Sequence, residues 1–141
     1  MPAAFTFSTD PSLIDRDLVH HWLSVESYWA QGRTRESQDA AIAASRNYSV
    51  RESDDRQVAY ARVVTDGVTF AWLCDVFVDE AARGNGVGRM IVEGVIEDLQ
   101  DSSTVKRIVL ATSTADGLYA QYGFAESPGP NRYMIKQMPR G

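Results

Sequence analysis

Two periods of apolar and polar positions run through the chain, and an element ends where one gives way to the other. Phe5-Thr6-Phe7-Ser8 alternates as a short strand, closed by Asp10-Pro11. Ser12 stands where a helix cap is wanted, ahead of a helix over residues 13–27 that gathers Leu13, Val19, Trp22 and Leu23 on its apolar side. Gly32 interrupts, and a second helix over 35–45 carries Ala40-Ala41-Ile42-Ala43-Ala44. Period 2 returns at 47–52, Ser53-Asp54-Asp55 marks a turn, and Val58, Tyr60 and Val64 recur at even positions of the next strand. Asp66-Gly67 predicts a tight hairpin, because both central residues of a type I′ turn need positive φ. The strand after it, Val68 to Val78, is apolar on both faces, as expected of a buried central strand.

A glycine-rich segment then leads into a helix in which Val87, Ile91, Val95 and Leu99 recur every four residues, with Glu93, Glu97 and Gln100 toward water. Asp101-Ser102-Ser103 ends that helix. Val105 to Ala111 predicts a buried parallel strand, and residues 114–122 a short helix stopped by Gly123. Residues 124–127 and 132–138 predict two last strands around Pro128-Gly129-Pro130. The order β-α-α-β-β-β-α-β-α-β-β predicts an α/β fold of the α+β kind. Its mixed sheet is mostly antiparallel, with one parallel, right-handed βαβ crossover and helices on both faces.

Composition narrows the partners. The 141 residues suit a single domain spanning 1–141, and a hydrophobic content of 44% is enough to build a core. A formal net charge of −5, with Arg33, Arg35 and Arg46 scattered among Glu36 and Asp39, argues against nucleic acid. Cys74 is the single cysteine, which excludes an intrachain disulfide and a multi-cysteine zinc site, and no metal is expected. No apolar stretch reaches membrane-spanning length and the start lacks a signal-peptide pattern, so the cytoplasm is the expected compartment.

The chemistry concentrates in Arg83-Gly84-Asn85-Gly86-Val87-Gly88-Arg89, placed between a strand and a helix. Glycines at alternate positions let backbone N–H groups turn inward at a helix N-terminus, which favours an anion, and Arg83 and Arg89 add charge-assisted bonds to phosphate. A dinucleotide site would place glycine at position 89, and a P-loop would have Gly-Lys-Ser/Thr; neither is present. A glycine-rich turn that merely joins strand to helix is the plainer alternative.

Arg83-Gly84-Asn85-Gly86-Val87-Gly88 resembles the Arg/Gln-x-x-Gly-x-Gly/Ala motif of the GNAT superfamily of acyl-CoA N-acyltransferases. Val76-Phe77-Val78 upstream looks like the strand that precedes it there, and Gly117-Leu118-Tyr119-Ala120-Gln121-Tyr122-Gly123-Phe124 is similar to the family's Leu-Tyr-x-x-x-Gly-Phe signature. The pieces keep the family's order and cover roughly residues 57–138, while Ser27-Tyr28-Trp29-Ala30-Gln31-Gly32 looks like a branch of small bacterial members.

The resemblance implies a GNAT fold and direct transfer of an acetyl group from acetyl-CoA to an amine, with the main chain of Phe77 and Val78 pairing with the pantetheine arm. The pyrophosphate would rest on Arg83, Gly84, Asn85, Gly86, Val87, Gly88 and Arg89. Tyr119 stands at the general-acid position, with a pocket-lining aromatic as the alternative, and Thr112 replaces an asparagine that often contacts the cofactor. Asp75 is a carboxylate inside an apolar strand: a base, a ligand for the amine's cation, or a buried aspartate satisfied by nearby backbone or a tyrosine. Strand alternation predicts that Cys74 points away from Asp75 and is core. Tyr28 and Trp29 either line the acceptor pocket or pack on the sheet. The partner implied is a small-molecule amine, with a homodimer left open. An acyl-CoA-binding sensor without turnover and a nucleotide-binding domain are the rivals.

Overall fold

The computed structural model describes residues 4–127, 129–130 and 132–140. Five strands form one sheet in the order β1-β2-β3-β4-β5: β1 (Phe5–Ser8), β2 (Arg46–Glu52), β3 (Gln57–Thr65), β4 (Ala71–Val78) and β5 (Ile108–Val109). The first four pair antiparallel, and β5 runs parallel to β4 after the crossover through helix α3 (Val87–Ser102). α3 and the short α4 (Asp116–Ala120) cover one face. Helix α1 (Arg16–His21), its π-helical continuation Trp22–Glu26, and α2 (Arg35–Ala43) cover the other. The fold is therefore the mixed, doubly covered sheet that the periodicity predicts.

The larger core forms where Val87, Ile91, Val92, Val95 and Leu99 of α3 meet Val50, Val58, Ala61, Val63 and Leu73 of the sheet. Each large side chain so buried contributes roughly 1.5–3 kcal/mol. On the other face, Val19, Trp22, Leu23 and Ile42 close over Tyr60 and Phe77, with Trp22 stacked on Phe77 at 5.3 Å.

Four details differ from the sequence expectation. Asp10, not Ser12, caps the first turn, a 3-10 helix over Pro11–Leu13; Asp10 accepts from both the Ser12 amide and its hydroxyl. The α-helix starts at Arg16 behind Asp15, whose side chain accepts from the Leu18 amide. Asp66-Gly67 does not make a two-residue turn: Asp66 Oδ1 accepts from the amides of Val68 and Thr69, opening a five-residue loop, and β4 starts at Ala71. No strand forms among the described residues 124–127 and 132–140, where Tyr133, Met134, Ile135 and Met138 are exposed. Alternation gives a strand only where a neighbouring strand supplies a ladder, and the described residues of this tail have none.

Candidate active site

The site is organised by a bulge in β4. Tyr60 pairs with Phe77 and Arg62 with Cys74, so Ala61 of β3 faces two residues, Asp75 and Val76. The extra residue is accommodated because Asp75 takes a left-handed backbone, φ +53°. Aspartate is among the few non-glycine residues that tolerate this region. The bulge inverts the alternation of β4. Leu73, Val76 and Val78 face the α3 side, whereas Phe77 faces Trp22. Cys74 and Asp75 consequently do not point apart as expected, and Arg33 and Arg62 influence both. Burial pushes the Cys74 thiol up to about 11, so it is a neutral thiol rather than a nucleophile at physiological pH.

β5 pairs with β4 only at Ala71↔Ile108 and Trp72↔Val109. The ladder ends at Trp72, and an open cleft of about 380 Å³ is lined by Val76, Val78, Arg83, Val87, Leu118 and Tyr119, together with Gly84, Gly86 and Gly88. Gly84 (φ +83°) and Gly86 (φ +78°) carry the loop through left-handed conformations that other residues avoid, and Gly86 caps α3. Gly88 has no such constraint: a Cβ there would make only ordinary contact, 3.6 Å from Leu118 on α4. Asn85 turns its amide inward to the carbonyls of Ala82 and Arg83, which shapes the loop. Arg89 flanks Gly86 in an adjoining hollow with Glu93 and Tyr122. Arg83 lies over the Phe77 ring at 5.5 Å and donates from Nε to the Val78 carbonyl at 3.1 Å. Of the two residues whose main chain is expected to pair with the cofactor, Val78 lines the cleft, and the Phe77 side chain packs in the opposite core.

Tyr119, on α4, is buried at the cleft wall with its ring edge-on to Phe124. Burial, with a smaller effect from Tyr28, raises its pKa, so the hydroxyl keeps its proton. Thr112 Oγ1 accepts from the Ala115 amide and thereby shapes the approach to α4. Tyr28 reaches across the chain to Ser113, hydroxyl to hydroxyl at 2.6 Å, and sits edge-on to Trp29 with ring centroids 5.0 Å apart. Both aromatics are exposed.

Asp75 is the centre of a second constellation. Its Oδ2 accepts from Arg33 Nη1 at 2.7 Å and Arg62 Nε at 3.0 Å; its Oδ1 accepts from Trp29 Nε1 at 3.0 Å and Arg33 Nη2 at 3.4 Å. Four donors fill the lone-pair directions of a carboxylate. Burial alone would raise the Asp75 pKa, but the bonds and charges of Arg33 and Arg62 outweigh it, and the net shift is downward. This differs from the expectation of a base or cation ligand, because the carboxylate is ionised and fully engaged. It is a buried, satisfied aspartate, but the partners expected for that are nearby backbone or a tyrosine, and in the structure they are two arginines and a tryptophan. Sequence reasoning did not single out Arg33, Arg62, Gln38 or Ser113. Arg62 alone carried a signal, a charged residue at an even position of β3 beside Tyr60.

A sheet splayed at a bulge, with a glycine loop opening the next helix at the splay, is the layout of an acyltransferase domain of the kind the motifs resemble. Residues 16–124 match the model of the acetyltransferase (GNAT) family, and the chain belongs to that family. A protein from Xanthomonas campestris pv. campestris assigned to the GNAT family of acetyltransferases superposes with a TM-score of 0.89 at 38% identity, covering 99% of this chain and 96% of that one. A Gibberella zeae protein assigned as an acetyltransferase is 28% identical over 83% of this chain and 76% of its own length. A Mycobacterium tuberculosis protein solved in complex with CoA shares the fold at a TM-score of 0.72 and 17% identity, over 91% of this chain and 76% of its own.

Proposed function

We propose that this protein is an N-acetyltransferase that moves an acetyl group from acetyl-CoA directly to a primary amine of a small molecule. The observation that carries the reading is that two features line one cleft: the left-handed glycine loop at the start of α3 and the side chain of Tyr119. The cradle fits a pyrophosphate, since side chains at 84 and 86 would be strained and unpaired amides at a helix N-terminus attract phosphate. Arg83 and Arg89 flank it with positive charge. A CoA complex of a fold neighbour supports the same choice of ligand.

Acetyl-CoA supplies the activated acetyl group as a thioester. The protein's own part is binding, orientation and one proton. From Leu73 onward, the β4 backbone groups on the side away from β3 pair with no strand among the described residues and are suited to an extended pantetheine arm. The Val78 carbonyl, held meanwhile by Arg83, is the first such partner. Tyr119 donates its proton to the departing sulfur. The amine enters from the α1–α2 side, past Tyr28 and Trp29, and gives its proton to water, because Asp75 has no vacant acceptor site. Free thiol should therefore appear when acetyl-CoA is mixed with the protein and a suitable primary amine, and not without one. Binding of acetyl-CoA with no thiol release across a broad amine panel would instead leave a sensor module.

A further inference from the structure

The constellation around Asp75 carries more positive charge than its own residues neutralise. Two guanidiniums, Arg33 and Arg62, face one carboxylate, and the side chains completing the group (Trp29, Gln38, Ser45 and the Cys74 thiol) are neutral. Its unused hydrogen-bonding capacity is of one kind. Asp75 accepts four bonds and is full. Arg62 gives Nε to Asp75 and Nη1 to Ser45 at 3.1 Å, and its Nη2 has no protein acceptor among the described residues. Gln38 is fully buried; its Oε1 accepts from Arg33 at 3.0 Å, and its Nε2 is left without a partner. What remains are N–H donors around a net cation. A partly buried guanidinium in excess over its counter-ion is unfavourable, and an oxyanion at Arg62 Nη2 relieves it.

The position gives this meaning. Asp75 and Val76 are the two residues of the β4 bulge: Val76 lines the cofactor cleft, and Asp75 anchors the donors near the opposite face. We infer that the amine acceptor carries an oxyanion, a carboxylate or a phosphate, which Arg33 and Arg62 recognise while the nitrogen is directed to the cleft. As a statement about the acceptor this rests on the acetyl-transfer reading, but the oxyanion site itself stands without it.

The test is calorimetric titration of the CoA-saturated protein with β-alanine, 2-aminoethyl phosphate and propylamine. At least one of the two oxyanionic amines should bind about tenfold or more tightly than propylamine, as one or two charge-assisted bonds would give. Which of the two binds more tightly identifies the oxyanion. Gln38→Glu keeps the side-chain shape and the bond from Arg33 while cancelling the net charge, so the preference should vanish in that variant. Arg62→Met should also abolish it. Equal or tighter binding of propylamine, no measurable binding of either oxyanionic amine, or a preference surviving both variants would overturn the inference. A binding preference without thiol release from any amine would sink acetyl transfer and leave the oxyanion site standing; thiol release from propylamine with no preference would do the reverse.

Discussion

At position 75 an aspartate occupies a backbone angle that glycine would adopt more easily, and four side-chain donors hold it there. Asp75→Asn keeps the size and removes the charge, leaving two guanidiniums 23% and 14% exposed beside each other without a counter-ion. Breaking a buried pair in this way costs about 3–5 kcal/mol, read as a lower urea midpoint at unchanged slope. The folded pKa of Asp75 lies below its ordinary value of 3.8, so this stabilisation is fully present above that value. It is lost as pH falls from there through the folded pKa. The gap between variant and parent should accordingly narrow below about pH 4; a gap constant from pH 7 to pH 3 would contradict the ion-pair account. Tyr119 shows the opposite shift: burial raises its pKa and keeps the hydroxyl protonated. Tyr119→Phe should leave acetyl-CoA affinity unchanged and lower turnover about a hundredfold. Undiminished turnover would assign the proton to water.

Helix α3 illustrates what can be read locally. Its four-residue recurrence of Val87, Ile91, Val95 and Leu99 is a property of one segment, and all four are buried. Gly94, in the same helix, is not explained by that pattern. A Cβ there would lie 2.4 Å from Cε1 and Cζ of Phe7 on β1, and the Phe7 ring is itself stacked 5.8 Å from Tyr48. Gly→Ala inside a helix ordinarily gains about 1 kcal/mol, yet forcing a methyl into a packed site costs about 1–3 kcal/mol. With three ring atoms closer than 3.0 Å, overpacking should win. Gly94→Ala should lower the unfolding midpoint in the parent and raise it in a Phe7→Leu background, a coupling that a double-mutant cycle measures. Features created by two segments together were not legible in the same way. The β4 bulge exists because β3 offers one residue against two, and nothing within Ala71–Val78 announces it except an aspartate among apolar neighbours. The same holds for Arg33, which meets Asp75 only after α1 and α2 are packed on the sheet. The motifs that were legible, the glycine loop and the tyrosine of α4, are those whose function depends on a short contiguous backbone.

For the whole molecule, the weakest seam is the cleft itself. β5 contributes two residues of pairing, and α4 is five residues long, joined to the α3 core by Leu118 and Tyr119. The antiparallel sheet from β1 to β4 is far more extensively paired. A ligand that lies on the α3 loop, along β4 and beside Tyr119 ties these pieces together, so it should stabilise the fold by mass action and do so locally. At a hundred times its dissociation constant, acetyl-CoA should add about 2.7 kcal/mol, which for a chain of this size is a rise in Tm of roughly 5–10 °C. Gly86→Glu puts a side chain and a negative charge into a left-handed position of the cradle and should abolish the rise. Hydrogen exchange adds the spatial test, because local opening is measured residue by residue. Protection on adding acetyl-CoA should concentrate in residues 73–90 and 110–120, with β1 and β2 changing least. Equal protection of β1 and β2, or an undiminished Tm rise in Gly86→Glu, would place the ligand elsewhere on the molecule.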